Sequence, residues 1–242
     1  MPKMTSSPLN QPAAPASYGN PFLRRVLTFL TDPELAWYFV LLRLARVYTR
    51  MTDGRVALTT RGMRAVGLGR YVQNGRVFYS YRGASYPEAV ALGQAMGHIK
   101  DVALRYCSGE GLDIGANRWP LPGAHAVDNL PDENAYRLDR WRDGSLDFVF
   151  SSHCLEHLSE WRNALALWTS KLKPGGILFL YLPHKSMTLW EPGSPWVGTD
   201  HVWSPTVEAI VPELEQHGME IVTIDPGPDG YFSFHVAARK AE

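Results

Sequence analysis

The stretch Gly111-Leu112-Asp113-Ile114-Gly115-Ala116-Asn117 decides the fold. An apolar run that reaches an acidic residue and breaks into a glycine turn reads as a buried strand feeding a loop. Ligands of open α/β sheets lie at such strand ends. Ala126-Val127-Asp128 follows as a second short strand with an acid at its tip. Leu146-Asp147-Phe148-Val149-Phe150 reads as a third, and Lys173-Pro174-Gly175-Gly176 leads into Ile177-Leu178-Phe179-Leu180 as a fourth. One ligand site can gather all four strand ends.

Composition sets the bounds around this core. The chain has 242 residues, of which 45% are hydrophobic and 20% charged, enough for one substantial core and a small accessory lobe. Lys+Arg and Asp+Glu balance at 24 each, so no summed field draws the protein to nucleic acid. A nucleic-acid partner is therefore not expected. Cys107 and Cys154 stand apart, without metal-ligand spacing or a disulfide framework, which points to a reducing cytoplasm and to two buried apolar residues.

Residues 1–20 are rich in Pro, Ser, Ala and Asn and lack the apolar run of a secretory signal, which predicts a disordered tail. Residues 21–86 read as a helical and β-hairpin accessory region. Its apolar stretch from Pro21 to Met51 is interrupted by Arg24, Arg25, Asp32, Glu34, Arg43 and Arg46, too often for a membrane span. Pro33 is placed to open a second helix there. The stretch is expected to pack on the main domain or to join two copies in a homodimer, with docking to a membrane surface as the sharper alternative. Val56 to Thr60 reads as extended, and Asn74-Gly75 is the preferred pair for a tight hairpin between Tyr71-Val72-Gln73 and Arg76-Val77-Phe78-Tyr79.

The main domain is expected over residues 87–242. Pro87 to Tyr106 reads as a helix with an apolar side formed by Val90, Leu92, Met96, Ile99, Val102 and Leu104. Trp161, Ala164, Leu165, Trp168 and Leu172 mark a crossover helix between Glu160 and Leu172. Ser204-Pro205 is expected to cap and open a helix carrying Val207, Ile210, Val211 and Leu214 and closed by Gly218. Ile221 to Ile224 and Tyr231 to Ala237, flanking a Pro/Gly turn, read as a terminal antiparallel hairpin.

A dinucleotide site would need G-x-G-x-x-G at the first turn, but no further glycine follows Gly115 closely. The order that does occur resembles the class I S-adenosylmethionine-dependent methyltransferases. It comprises Asp113 two residues before Gly115, Asp128 ending the next strand, the run from Ser145 to Leu158, Leu172-Lys173-Pro174-Gly175-Gly176, and a terminal hairpin. Ser151-Ser152-His153-Cys154-Leu155-Glu156-His157-Leu158 is most similar to the bacterial subgroup acting on small molecules and glycan precursors. The resemblance spans roughly Leu92 to Lys240. It implies an α/β, Rossmann-like methyltransferase fold with a mostly parallel sheet and S-adenosylmethionine as cofactor. Asp113, Gly115, Ala116 and Asn117 would receive its methionine end, and Asp128 with Asn129 its ribose. Leu138 and Asp139 would lie by the adenine, and Ser151, Ser152 and His153 under the sulfonium.

Two departures from the family pattern carry structural expectations. The usual E/D-x-G-x-G-x-G becomes Asp113-Ile114-Gly115-Ala116-Asn117-Arg118-Trp119, with Asn117 able to adopt the left-handed conformation. The connections Ala116–Ala124 and Asn129–Ala135 are shorter than the dozen or so residues of a full parallel crossover. The first helices should therefore be shortened, with N-terminal segments covering the bared face.

The expected acceptor is a small molecule or glycan precursor, methylated at a hydroxyl that must lose its proton. His184, His201 and His153 are the candidate bases, in that order, since imidazole titrates near neutrality. The segment Leu182 to Ser204, with Trp190, Trp196 and Trp203, is expected to form a lid and acceptor wall. No trio of residues has metal-ligand spacing along the chain, so no metal is expected. A catalytically silent methyltransferase-like scaffold, or a cofactor-binding subunit of a biosynthetic complex, is the alternative reading.

Overall fold

Asn74 and Gly75 adopt φ of 52° and 74°, the left-handed pair that a two-residue hairpin demands. They join strand β1 (Leu68–Gln73) to β2 (Arg76–Tyr81), with Gln73 opposite Arg76, and β3 (Ala84–Pro87) pairs antiparallel on the far side of β2. The computed structural model describes residues 68–81, 84–87, 90, 95–117, 119–192 and 201–242. The expected tail, the apolar stretch of residues 21–51 with its dimer contact, the extended residues 56–60 and the middle of the 182–204 segment lie outside them. Among the described residues no helix is long and apolar enough to cross a membrane.

The main sheet has six strands. They are β4 (Gly111–Ile114), β5 (His125–Val127), β6 (Leu146–Ser152), β7 (Leu172–Pro183), β8 (Met219–Asp225) and β9 (Ser233–Lys240). Their spatial order is β5-β4-β6-β7-β9-β8, and β9 alone runs opposite to the other five. The chain builds outward from β4 to β5, then returns to the other side of β4 with β6. That reversal opens a crevice at the carboxyl ends of β4 and β6, the usual ligand position in such sheets. This is a Rossmann-like α/β architecture with a mostly parallel sheet.

Alternating side chains divide the core between the two faces. Leu112, Ile114, Val149, Leu178, Leu180 and Val236 face α2 (Trp161–Lys171) and α3 (Val207–Gln216). Phe148, Phe150, Phe179 and Tyr181 face α1 (Met96–Ala103), through Ile99 and Ala103, together with Tyr86 and Val90. The Tyr86 ring also lies 5.9 Å from that of Phe232. The segment around β3 thus covers a face that crossover helices would otherwise occupy.

Neither short connection contains a helix among its described residues. The loop between β4 and β5 is pinned instead by Asp113, whose Oδ2 accepts the Leu121 N–H at 2.6 Å while Leu121 itself is buried. Between β5 and β6 the chain makes a small bridge of Asn134 with Arg137, and the Trp168 indole donates to Ala135 O at 2.8 Å.

Several boundaries differ from the sequence expectation. Pro87 ends β3, a place its fixed φ suits, and helix is described at Val90 and again from Met96. Thr206, not Ser204, caps α3, its Oγ1 accepting the Ala209 N–H at 3.2 Å. β9 starts at Ser233 because Asp229 Oδ1 holds the Tyr231 and Ser233 N–H groups in a turn, with Phe232 at φ 57°.

Burial raises the Asp113 carboxyl to about 7; the Leu121 N–H opposes the rise and the Asp128 charge adds to it. The folded state therefore holds a proton that the unfolded chain releases near pH 4, so the stability this group contributes is full below about 4 and lost as pH rises through about 7. Urea unfolding between pH 5 and 8 should show wild type losing stability relative to Asp113→Asn as pH rises. Parallel pH profiles for the two proteins would exclude Asp113 as the source.

Candidate active site

A cavity of about 280 Å³ opens at the carboxyl ends of β4, β5 and β6. Its walls come from three turns. Gly115 and Asn117 follow β4, Asp128 and Asn129 follow β5 with Asn134 to Tyr136 beyond them, and His153, Cys154, His157 and Leu158 follow β6.

Backbone conformation brings these turns together. Gly115 has φ +84°, and a Cβ there would lie 2.5 Å from Cys154 Cβ and 2.8 Å from its sulfur. Only glycine lets the two strand ends approach so closely. The Gly115 and Ala116 N–H groups both donate to Val127 O, at 2.9 and 3.3 Å, and Asn117 adopts φ 48°. Asp128 is exposed to the cavity; its Oδ1 accepts the Asn129 N–H at 2.8 Å, which leaves the other carboxylate oxygen for a ligand.

The β6 turn carries the most strongly interacting groups. His153 sits at φ 51°, its Nε2 2.8 Å from Ser233 Oγ and its Nδ1 3.4 Å from Glu156 Oε1. Edges of Tyr181, Trp190 and Tyr231 surround its ring at centroid distances of 5.0–5.4 Å. Glu156, on the short 3-10 turn Leu155–His157, is fully buried. Burial alone would push its carboxyl up, but the His153 ring, with His157 and His201 beside it, holds it down at about 2. Burial and the Glu156 charge keep the Cys154 thiol protonated far above neutrality, so it is no nucleophile.

Residues 98–180 match a family model described as "Methyltransferase domain". The match supports S-adenosylmethionine-dependent methyl transfer by this segment, with S-adenosylmethionine as the cofactor. The chain is similar to an S-adenosylmethionine-dependent methyltransferase of Thermotoga maritima, with 14% identity over 63% of this chain and 91% of that one and a TM-score of 0.48. It is similar too to the 1,6-didemethyltoxoflavin-N1-methyltransferase of Burkholderia thailandensis, solved with 1,6-didemethyltoxoflavin and S-adenosylhomocysteine. There the identity is 14% over 71% and 98% of the two chains, with a TM-score of 0.44. YcgJ of Bacillus subtilis gives 13%, 62%, 99% and 0.44 in the same order. No protein of curated function matches the chain.

Of the residues expected at the methyltransferase site, Gly115, Asn117, Asp128, Asn129 and His153 line the cavity. Others lie elsewhere. Asp113 is buried beneath the sheet end with its Oδ2 committed to Leu121, and Ala116 is buried behind the turn. Ser151 is buried, its Oγ donating to Ile114 O at 2.9 Å, and Ser152 also falls outside the lining. Leu138 packs in the core and Asp139 pairs with Arg137 at 3.2 Å, while Asn134, Ala135 and Tyr136 line the cavity.

The histidine order changes as well. His184 turns into its own loop, its Nδ1 3.1 Å from the Ser186 N–H donor, and lines a separate narrow depression. His201 is buried behind the β6 turn, its Nδ1 2.6 Å from Trp190 O. His153 and the unforeseen His157 are the histidines at the cavity. The two stand four residues apart in the Ser151–Leu158 run, a spacing visible in the sequence. The expectation of no metal-ligand cluster rested on spacing along the chain. The fold nevertheless brings ligand atoms of Glu156, His157 and His201 within 4.8 Å of one another.

Gly115→Ala should destabilise the fold by about 1–3 kcal/mol through forced left-handed backbone and the clash with Cys154. Chemical denaturation measures this. An unchanged midpoint would show that the β4 and β6 ends can separate freely.

Proposed function

We propose that this methyltransferase transfers the methyl group to a hydroxyl of a small-molecule or glycan-precursor acceptor in the cytoplasm. The cavity at the β4–β6 switch point is the cofactor site on this reading. The proposal includes a division of the chain into a tail of residues 1–20, an accessory region of residues 21–86 and a catalytic domain of residues 87–242. The observation that carries the site assignment is the exposed Asp128 carboxylate at the cavity wall, beside the glycine turn at Gly115.

S-adenosylmethionine, when bound, supplies an electrophilic methyl group. The chain supplies alignment. Asp128 accepts two hydroxyl hydrogen bonds from the ribose, Gly115 and Asn117 let the backbone approach the methionine end, and Asn134 to Tyr136 close the adenine side. His153, at the cavity and held between Ser233 and Glu156, takes the acceptor's proton in place of His184. Most of the acceleration comes from holding the acceptor in line and excluding water.

Isothermal titration with S-adenosylmethionine and S-adenosylhomocysteine tests the site. Asp128→Ala should weaken cofactor binding by about 2–4 kcal/mol, from two charge-assisted hydrogen bonds that are not fully additive. Unchanged affinity in a folded Asp128→Ala protein would overturn the ribose assignment. Once an acceptor is found, His153→Ala should lower turnover by roughly 10² to 10⁴, with His184→Ala near wild type. The opposite ranking would restore His184 as the base.

A further inference from the structure

The carboxylate of Glu156 is fully buried, and neither of its oxygens has a hydrogen-bond partner among the described residues. A buried ionised carboxylate in that state is costly unless a cation compensates it. Around it stand three imidazoles: His153 Nδ1 at 3.4 Å, His157 Nε2 at 3.9 Å and His201 Nε2 at 3.9 Å from Oε1.

His201 shows what kind of cation the pocket suits. Its Nδ1 lies 2.6 Å from Trp190 O, a carbonyl that can only accept, so that nitrogen carries a proton. The ring's other nitrogen, Nε2, faces the buried Glu156 carboxylate at 3.9 Å, longer than a hydrogen bond. A histidine that gives its other N–H to a backbone carbonyl is the usual outer support of a metal ligand.

We propose that Glu156, His157 and His201 form a binding site for a divalent transition-metal ion of the zinc class. Two imidazoles and one carboxylate suit such an ion, and ligands at about 2.0–2.2 Å from it stand roughly 3.4 Å apart. Both imidazoles stand 3.9 Å from Glu156 Oε1, and the three ligand atoms lie within 4.8 Å of one another, so the site closes onto an ion by side-chain movement alone. The site is built into the backbone from both sides. The Val202 N–H donates to Glu156 O at 2.9 Å, the Trp203 indole donates to Leu155 O at 2.8 Å, and Trp203 stacks on Trp161 at 4.3 Å. His153 Nδ1 is placed to orient the ligating carboxylate.

Because His157 also lines the cavity, the site borders the proposed cofactor pocket, and an ion held there would supply Lewis acidity toward an acceptor hydroxyl whose proton His153 takes. This role rests on the proposed hydroxyl transfer; the ion site does not.

The test uses the full chain, stripped with a chelator and titrated with Zn²⁺ by calorimetry and with Co²⁺ by visible spectroscopy. One equivalent should bind, Co²⁺ should give the d–d absorption of nitrogen and oxygen ligation, and Glu156→Gln, His157→Ala and His201→Ala should each weaken binding at least 100-fold. Absence of stoichiometric uptake by wild type overturns the site, as does uptake that His157→Ala and His201→Ala leave unchanged. If Glu156→Gln does not fold, the two histidine variants decide. Titration of the stripped protein with S-adenosylhomocysteine separates the two readings, since cofactor binding without metal uptake retains the methyltransferase cavity and discards the ion.

Discussion

The hydrogen bond from the Leu121 N–H to the buried Asp113 carboxylate, 2.6 Å long, is the constraint on which the ligand-binding edge depends. A parallel strand must be reached by a crossover, and here the crossover is too short to fold as a helix and pack by its own apolar face. Something else has to hold it down. Asp113 does so from the strand itself, and Leu121 supplies the apolar plug. With the loop so fixed, Val127 O can bind both the Gly115 and Ala116 N–H groups, and the cavity acquires two of its three walls.

The same economy explains the division of labour around the sheet. One face keeps two regular helices, α2 and α3. The other has α1 and borrows Tyr86 and Val90 from the segment around β3. Tyr86 of β3 is therefore part of the sheet's cover, in one cluster with Phe148, Phe150 and Phe179.

Local features were legible in the sequence because their causes are local. Asn74-Gly75 announces a hairpin through its backbone preference, and the Trp161–Trp168 periodicity announces α2. Lys173-Pro174-Gly175-Gly176 announces the approach to the edge of β7, although the strand begins at Leu172 and includes it. Competing local signals misled: Ser204-Pro205 and Thr206 both offer caps, and only tertiary packing chooses the later one. Leu138 and Asp139 lie off the cavity that Asn134 to Tyr136 line, because no helix spaces the chain between β5 and β6. The meeting of Glu156 with His201 is a contact between distant segments, fixed by the Trp203–Trp161 stack, and no spacing along the chain encodes it.

His157 belongs to two compartments at once. Its side chain lines the cavity, while its Nε2 lies 3.9 Å from the buried Glu156 carboxylate. Whatever charge settles on the hidden side alters the orientation and polarity of a wall on the open side. Thermodynamic linkage requires the influence to be mutual, with each occupant changing the other's affinity by the same factor. A turn of three residues thus makes the pocket and the sheet's interior share a single free-energy balance.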